Sequence, residues 1–189
     1  MDFPVGFSLI ILCLLPPSTL STSDNHHHQD GNSPILKSLH FTLYKHETYN
    51  KTAYVTIKGV AGPKRFTKTS NPFGSLVAFN DPLTETEDPF SKVLGYMEGS
   101  AVTSSFDGGR TTCICRTSLN FKGYKGDLLN VGTAYYTQVS ELPLVGGTGD
   151  FRFVQGYMTF SVVDLSGPAA CYKTDFHLYW PPYATSLIP

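Results

Sequence analysis

Lys45 and Glu47 stand two residues apart in the stretch HFTLYKHE, which begins at His40. Alternate side chains of a β-strand share a face. Phe41, Leu43, Lys45 and Glu47 therefore point one way, and His40, Thr42, Tyr44 and His46 the other. An ammonium and a carboxyl group on an otherwise apolar face can hold and pass protons. Desolvation raises a carboxyl pKa and keeps the group protonated near neutral pH, as an acid catalyst requires. A neighbouring ammonium opposes that shift or stabilises an anion. The plainer alternative is a solvated Lys45–Glu47 pair at the rim of the fold, worth little energetically.

The remaining chemistry-bearing residues are weaker candidates. In the stretch 170–180, alternation places Tyr172, Thr174, Phe176 and Leu178 on one face, so Tyr172 and Thr174 are hydroxyls able to orient a bound oxygen. Asp81 precedes Pro82 and Asp107 precedes two glycines, and both read as turn residues. His26, His27 and His28 are adjacent in a polar stretch, without the fixed geometry of a selective metal site. No metal-type CxxC pair occurs, so no metal is expected. Cys113 and Cys115 share a strand face with Cα atoms roughly 7 Å apart, too far for an easy bridge. Buried thiols are expected, with a Cys171 bridge left open. The stretch LVGGTGDF, 144–151, is glycine-rich, but it lacks the Gly-Lys-Ser/Thr of a phosphate loop and precedes a β-branched, aromatic run instead of a helix. It reads as a tight link between strands.

Period two also dominates the elements that must carry these groups. The spacing predicts strands over 40–47, 52–60, 73–81, 94–104, 110–121, 126–136, 151–163 and 170–180. Glycine-containing turn signals separate them, and no long run has helical spacing. Eight such strands in a chain of 189 residues predict a single all-β domain over 37–183, with 184–189 as a tail. An eight-stranded antiparallel barrel would remove exposed edges and enclose one small ligand. A net charge of −1 supplies no field for nucleic acid or anionic lipid. The apolar run Val5–Leu15 and the small residues after it predict an export signal over 1–21, followed by a polar arm over 22–36. The mature protein is then expected to be secreted, with no membrane span. Asn50-Lys51-Thr52 is a glycosylation sequon in a predicted turn.

Three blocks carry a resemblance. LVGGTGDFRFVQGYMTF, FGSLVAFNDPLT and HFTLYKHETYNKT, taken together, resemble the signature of plant dirigent proteins, in order over roughly residues 38–180. The resemblance implies an eight-stranded antiparallel barrel with an aromatic-lined central pocket. It further implies a secreted, apoplastic homotrimer without a cofactor that binds phenol-derived quinone methides or radicals. Lignan-forming members have an Asp at Glu47, tyrosines at Ala101 and Thr103, a further Asp near Thr133 or Ala134 and an Arg near Ser140. They also have a terminal cysteine pair that this chain lacks. The ending FHLYWPPYA and the block around Lys45 look more like the legume pterocarpan synthases. That subgroup implies a cofactor-free lyase that removes water from a 2′-hydroxyisoflavanol and closes a furan ring through a quinone methide. The alternatives are an isoflavene-forming dehydratase, a non-enzymatic protein that steers radical coupling, and a defence protein that binds phenolics or glycans. On this resemblance Glu47 is the candidate acid, with Lys45 beside it. Phe41, Leu43, Met97, Ala101, Thr103, Tyr172 and Thr174 are the candidate substrate contacts, with Ala101 and Gly99 making room for a rigid polycycle.

Overall fold

The computed structural model describes residues 37–185. The expected export signal, polar arm and histidine run lie outside the described residues. Nine strands follow in order: β1 Lys37–Glu47, β2 Ala53–Ile57, β3 Leu76–Thr84, β4 Val93–Thr103, β5 Arg110–Phe121, β6 Tyr124–Tyr135, β7 Ser140–Gly147, β8 Gln155–Asp164 and β9 Ala170–Trp180. One helical turn, α1 Pro182–Thr185, follows β9. No helix among the described residues is long and apolar enough to cross a membrane.

The strands form one antiparallel sheet in the order β1-β9-β8-β7-β6-β5-β4-β3-β2, closed by pairing of β1 with β3. β1 reaches β3 only at Tyr44–Thr84 and Lys45–Leu83. The chain then turns through residues 48–52, and β2 continues along the same edge of β3, with Ala53 opposite Phe79. The result is a closed barrel of eight staves, with β2 prolonging the edge that β1 closes.

The barrel has the expected eight strands, but two identities differ. The segment 52–60 is the short edge β2, and the stretch around LVGGTGDF, expected as a link, contributes β7. Pro143 and paired glycines disguise β7, since neither suits a strand interior. Its ladder to β6 is irregular between Leu129 and Asn130. There the Asn130 amide donates to the carbonyls of Leu142 and Pro143, 3.3 Å from each, in place of regular ladder bonds. Residues 149–151 then form a 3₁₀ turn that buries Phe151, so the strand expected from 151 starts at Gln155. Ala184 is fully buried in the core cluster.

Turn chemistry follows the sequence closely. Phe121 pairs with Tyr124 across Lys122 and Gly123, both at positive φ, as a two-residue hairpin requires. Asp107 accepts hydrogen bonds from the Gly109 amide (3.0 Å) and the Ser105 hydroxyl (2.6 Å), fixing the β4–β5 turn. Gly156 has φ of +136° inside β8, and a Cβ there would overlap the His177 carbonyl oxygen of β9. Gly156→Ala is expected to cost about 2–4 kcal/mol, because it combines backbone strain with a clash against another strand. A urea melt of the variant checks this; an unchanged midpoint would contradict it.

The barrel interior has a packed end and an open end. At the packed end Trp180, Tyr124 and Phe151 stack, with ring centroids 5.8–6.4 Å apart. Phe41 lies on Phe176 at 4.8 Å, nearly parallel, and Leu43 and Leu178 fill the space beside them. Apolar burial of this kind contributes about 1.5–3 kcal/mol per large side chain.

Candidate active site

Above that packed floor, the open end of the barrel is a cavity lined by seventeen residues. The end of β1 delivers Lys45 and Glu47, and β9 delivers Tyr172 beside them. β4 contributes Met97 and Ala101, and β5 contributes Thr111, Cys113 and Cys115. Phe79, Phe160, Tyr49 and Tyr136 supply most of the aromatic wall.

Lys45 is the electrostatic centre. Its Nζ lies 2.6 Å from Glu47 Oε2 and 2.9 Å from Asp81 Oδ2. Three rings surround the same ammonium: Phe79 at 4.7 Å, Tyr172 at 5.1 Å and Phe160 at 5.5 Å. Burial pushes the Lys45 pKa down, but Asp81 and then Glu47 more than offset it, and it stands well above the usual 10.5. Lys45 is thus a permanent cation at neutral pH. Asp81 is fully buried, and burial raises its carboxyl pKa, with Lys45 opposing and the Glu47 charge adding to the rise. One ammonium serves two carboxylates, so the cluster carries a net charge of −1 unless it takes up a proton. Glu47, at the cavity wall, is the member through which such a proton would meet a ligand.

Three phenols face this cluster. Burial raises the pKa of Tyr49 and of Tyr172, and pushes Tyr136 up to about 12 against a hydrogen bond from Asn71. All three are neutral near pH 7 and can both donate and accept hydrogen bonds. The segment 61–72 is fastened over this end of the barrel. Phe66 meets Tyr49 edge-on at 5.2 Å, Asn71 holds Tyr136, and Lys68 Nζ donates to the carbonyls of Leu165 (2.6 Å) and Gly167.

Of the residues expected to line a site, Lys45, Glu47, Met97, Ala101 and Tyr172 come together here. Phe41, Leu43, Thr103 and Thr174 do not line the cavity. Phe41 and Leu43 face inward but lie deeper, in the packed floor. Thr174 lies opposite Leu43 at that depth, fully buried. Thr103 is covered by the segment before β3, its backbone bonded to Gly74 and Ser75. Asp81 is the principal correction: it does not form a turn but lies within β3 beneath Lys45. The alternation Val77, Phe79, Asp81, Leu83 carried the signal that it points inward; the Asp-Pro pair obscured it. Asn50 is exposed in the turn between β1 and β2. Cys113, Cys115 and Cys171 are free thiols.

The Dirigent-like protein family model matches residues 38–179. The chain belongs to the dirigent family. Among dirigent relatives it is similar to Dirigent protein 1 of Arabidopsis thaliana, 30% identical over 134 residues that span 68% of this chain and 73% of that one. It is equally similar to Pterocarpan synthase 1 of Glycyrrhiza echinata, 30% identical over 146 residues, or 75% of this chain and 76% of that one. A solved pterocarpan synthase dirigent protein superimposes with a TM-score of 0.65 at 24% identity, over 82% of this chain and 99% of its own. That likeness establishes the dirigent barrel fold.

Ala101 offers a direct probe of the dirigent cavity. It is half-buried, and it lines the open space. Ala101→Phe should fill that space and weaken binding of any planar ligand seated there on the order of tenfold or more, with the melting temperature little changed. Calorimetric titration with such a ligand checks it; undiminished affinity would place the ligand elsewhere.

Proposed function

We propose that this barrel is a dehydratase of 2′-hydroxyisoflavanols that closes the furan ring of a pterocarpan through a quinone methide. The observation that carries the reading is the Glu47–Lys45–Asp81 cluster at the wall of an aromatic cavity. Similarity to pterocarpan synthases supports it.

In the proposed cycle the proton taken up by the Lys45–Asp81–Glu47 cluster reaches the ligand through Glu47, the carboxyl that lines the cavity. Glu47 gives that proton to the C4 hydroxyl, which leaves as water. The electron pair that expels it comes from the 7-hydroxyl in the para position, whose proton passes to solvent water at the cavity mouth. The resulting quinone methide is electrophilic at C4. The Glu47 carboxylate, now facing the Lys45 ammonium, accepts the proton of the 2′-hydroxyl as that oxygen bonds to C4. The 7-oxygen regains its proton. The sum is substrate to product plus water, with no change of oxidation state. Lys45 Nζ, 2.6 Å from Glu47 Oε2, stabilises the anionic form of Glu47 at a largely buried site, where ion pairing is worth more than in water. The walls hold the 2′-oxygen near C4, and such orientation alone can supply several kcal/mol.

The test is to incubate the purified protein, without an oxidase, with each stereoisomer of 2′,7-dihydroxyisoflavanol. Loss of water with ring closure supports the reading. An isoflavene product would replace it with the rival dehydration, in which the intermediate loses a proton instead of being trapped. No product would sink both. Export, a homotrimer and a glycan at Asn50 belong to the same proposal. The mature N-terminus, the mass in solution and the effect of a glycosidase on secreted material test them.

A further inference from the structure

Cys113 and Cys115 are not used in that cycle, yet both line the same cavity. They lie two apart on β5, opposite Ala101 and Gly99 of β4. Ala101, the small side chain of the β4 wall, therefore stands beside Cys113, so a planar ligand seated against Ala101 lies against sulfur. Both thiols are free. Cys113 has one polar neighbour, the Thr111 hydroxyl at 3.4 Å. Thiols are soft nucleophiles, and they react best with soft carbon electrophiles such as quinone methides and activated alkenes.

We propose that Cys113 and Cys115 form a covalent acceptor site for soft carbon electrophiles that enter the barrel. In the step, the thiol proton leaves sulfur, the Sγ–C bond forms at the electrophilic methide carbon, and the ring carbonyl oxygen takes up a proton to become a phenol. The adduct is a thioether, formed by net addition of the thiol across the quinone methide. No oxidant or reductant takes part. Naming a quinone methide as the electrophile that meets the site in normal use rests on the function proposed above; the thiol site itself does not.

Burial sets the rate. It raises the Cys113 thiol and pushes Cys115 up to about 12, with the Lys45 ammonium acting the other way on both. Near neutral pH the thiolate fraction is small, so an intermediate trapped quickly by its own 2′-oxygen escapes. An electrophile that lingers does not. The cavity thus tolerates a reactive intermediate only while its lifetime is short.

The experiment uses the full-length protein and needs no turnover. 4-Hydroxybenzyl acetate expels acetate spontaneously and releases a para-quinone methide in solution; N-ethylmaleimide serves as a second soft electrophile. After exposure of the native protein, trypsin cuts at Arg110 and Arg116 and releases residues 111–116 with both cysteines. The expected result is mass gain on that peptide, localised by fragmentation, with a rate rising about tenfold per pH unit between roughly pH 7 and 9. Ala101→Phe, which narrows the cavity beside Cys113, should slow labelling of this peptide but not of Cys171. Cys113→Ser and Cys115→Ser should each lose label only at the substituted position. Labelling of the peptide only after denaturation, or labelling of Cys171 alone, would overturn the proposal. Because neither probe requires the dehydratase, a protein that captures them but leaves isoflavanols unchanged refutes the proposed function and keeps the thiol site.

Discussion

If the proposed dehydration is this protein's reaction, Glu47→Gln is expected to lower kcat for it by about 10²–10⁴-fold while leaving KM nearly unchanged. The introduced glutamine keeps the size of Glu47 and can still accept a hydrogen bond from Lys45 Nζ, so the wall of the cavity stays in place. The amide can neither give a proton to the C4 hydroxyl nor receive one from the 2′-hydroxyl. The change also removes the carboxylate that Lys45 must share, and leaves Lys45 and Asp81 as a neutral buried pair 2.9 Å apart. Stability should therefore stay within about 1 kcal/mol of the parent or rise. Saturation kinetics and a urea melt on the same preparation separate the two effects. A folded variant with near-normal kcat would remove Glu47 from the mechanism.

Lys45→Met is expected to cost about 3–5 kcal/mol of folding stability, since it strands a buried Asp81 charge without its cation. Lys45→Met/Asp81→Leu should recover most of that loss, because an apolar pair of similar volume needs no compensation. The pH dependence has a definite sign. In the parent, the Lys45 pKa is higher folded than unfolded, so its contribution is complete below about 10.5 and is lost as pH rises through the folded value. The Asp81 pKa is also raised on folding, so its contribution is present below 3.8 and is lost as pH rises through the folded value. Without Lys45, that Asp81 penalty is larger at neutral pH and relieved by acid. The gap between parent and variant should consequently narrow as pH falls toward the carboxylate range, and narrow again above about 10.5. Denaturant melts across pH check this; a gap independent of pH would show that the ion pair contributes only packing.

Asp81 illustrates where sequence reading stops. Asp before Pro is a strong turn signal, and locally the reading is sound. In the barrel, however, β3 carries on through Pro82 to Thr84, where β1 closes the sheet. A long-range pairing thus overrides a local propensity. β7 shows the same conflict: its Pro143 and glycines are poor strand formers, and the Asn130 side chain on a neighbouring strand supplies hydrogen bonds that regular pairing does not.

Alternation along Phe41–Glu47 and Tyr172–Leu178 determined by itself which side chains turn inward, because successive residues of any strand point to opposite faces regardless of partners. Turn residues determined where most strands end, and the three blocks beginning near residues 40, 73 and 144 determined the family. What alternation does not encode is depth. Phe41, Leu43, Lys45 and Glu47 all face the barrel axis, yet the first two belong to the floor and the last two to the site. That division depends on the stagger of neighbouring strands and on where the Trp180, Tyr124 and Phe151 stack plugs the barrel. Only the closed tertiary structure set those levels, and only it placed Asp81 beneath Lys45 and two thiols in the wall of the same cavity.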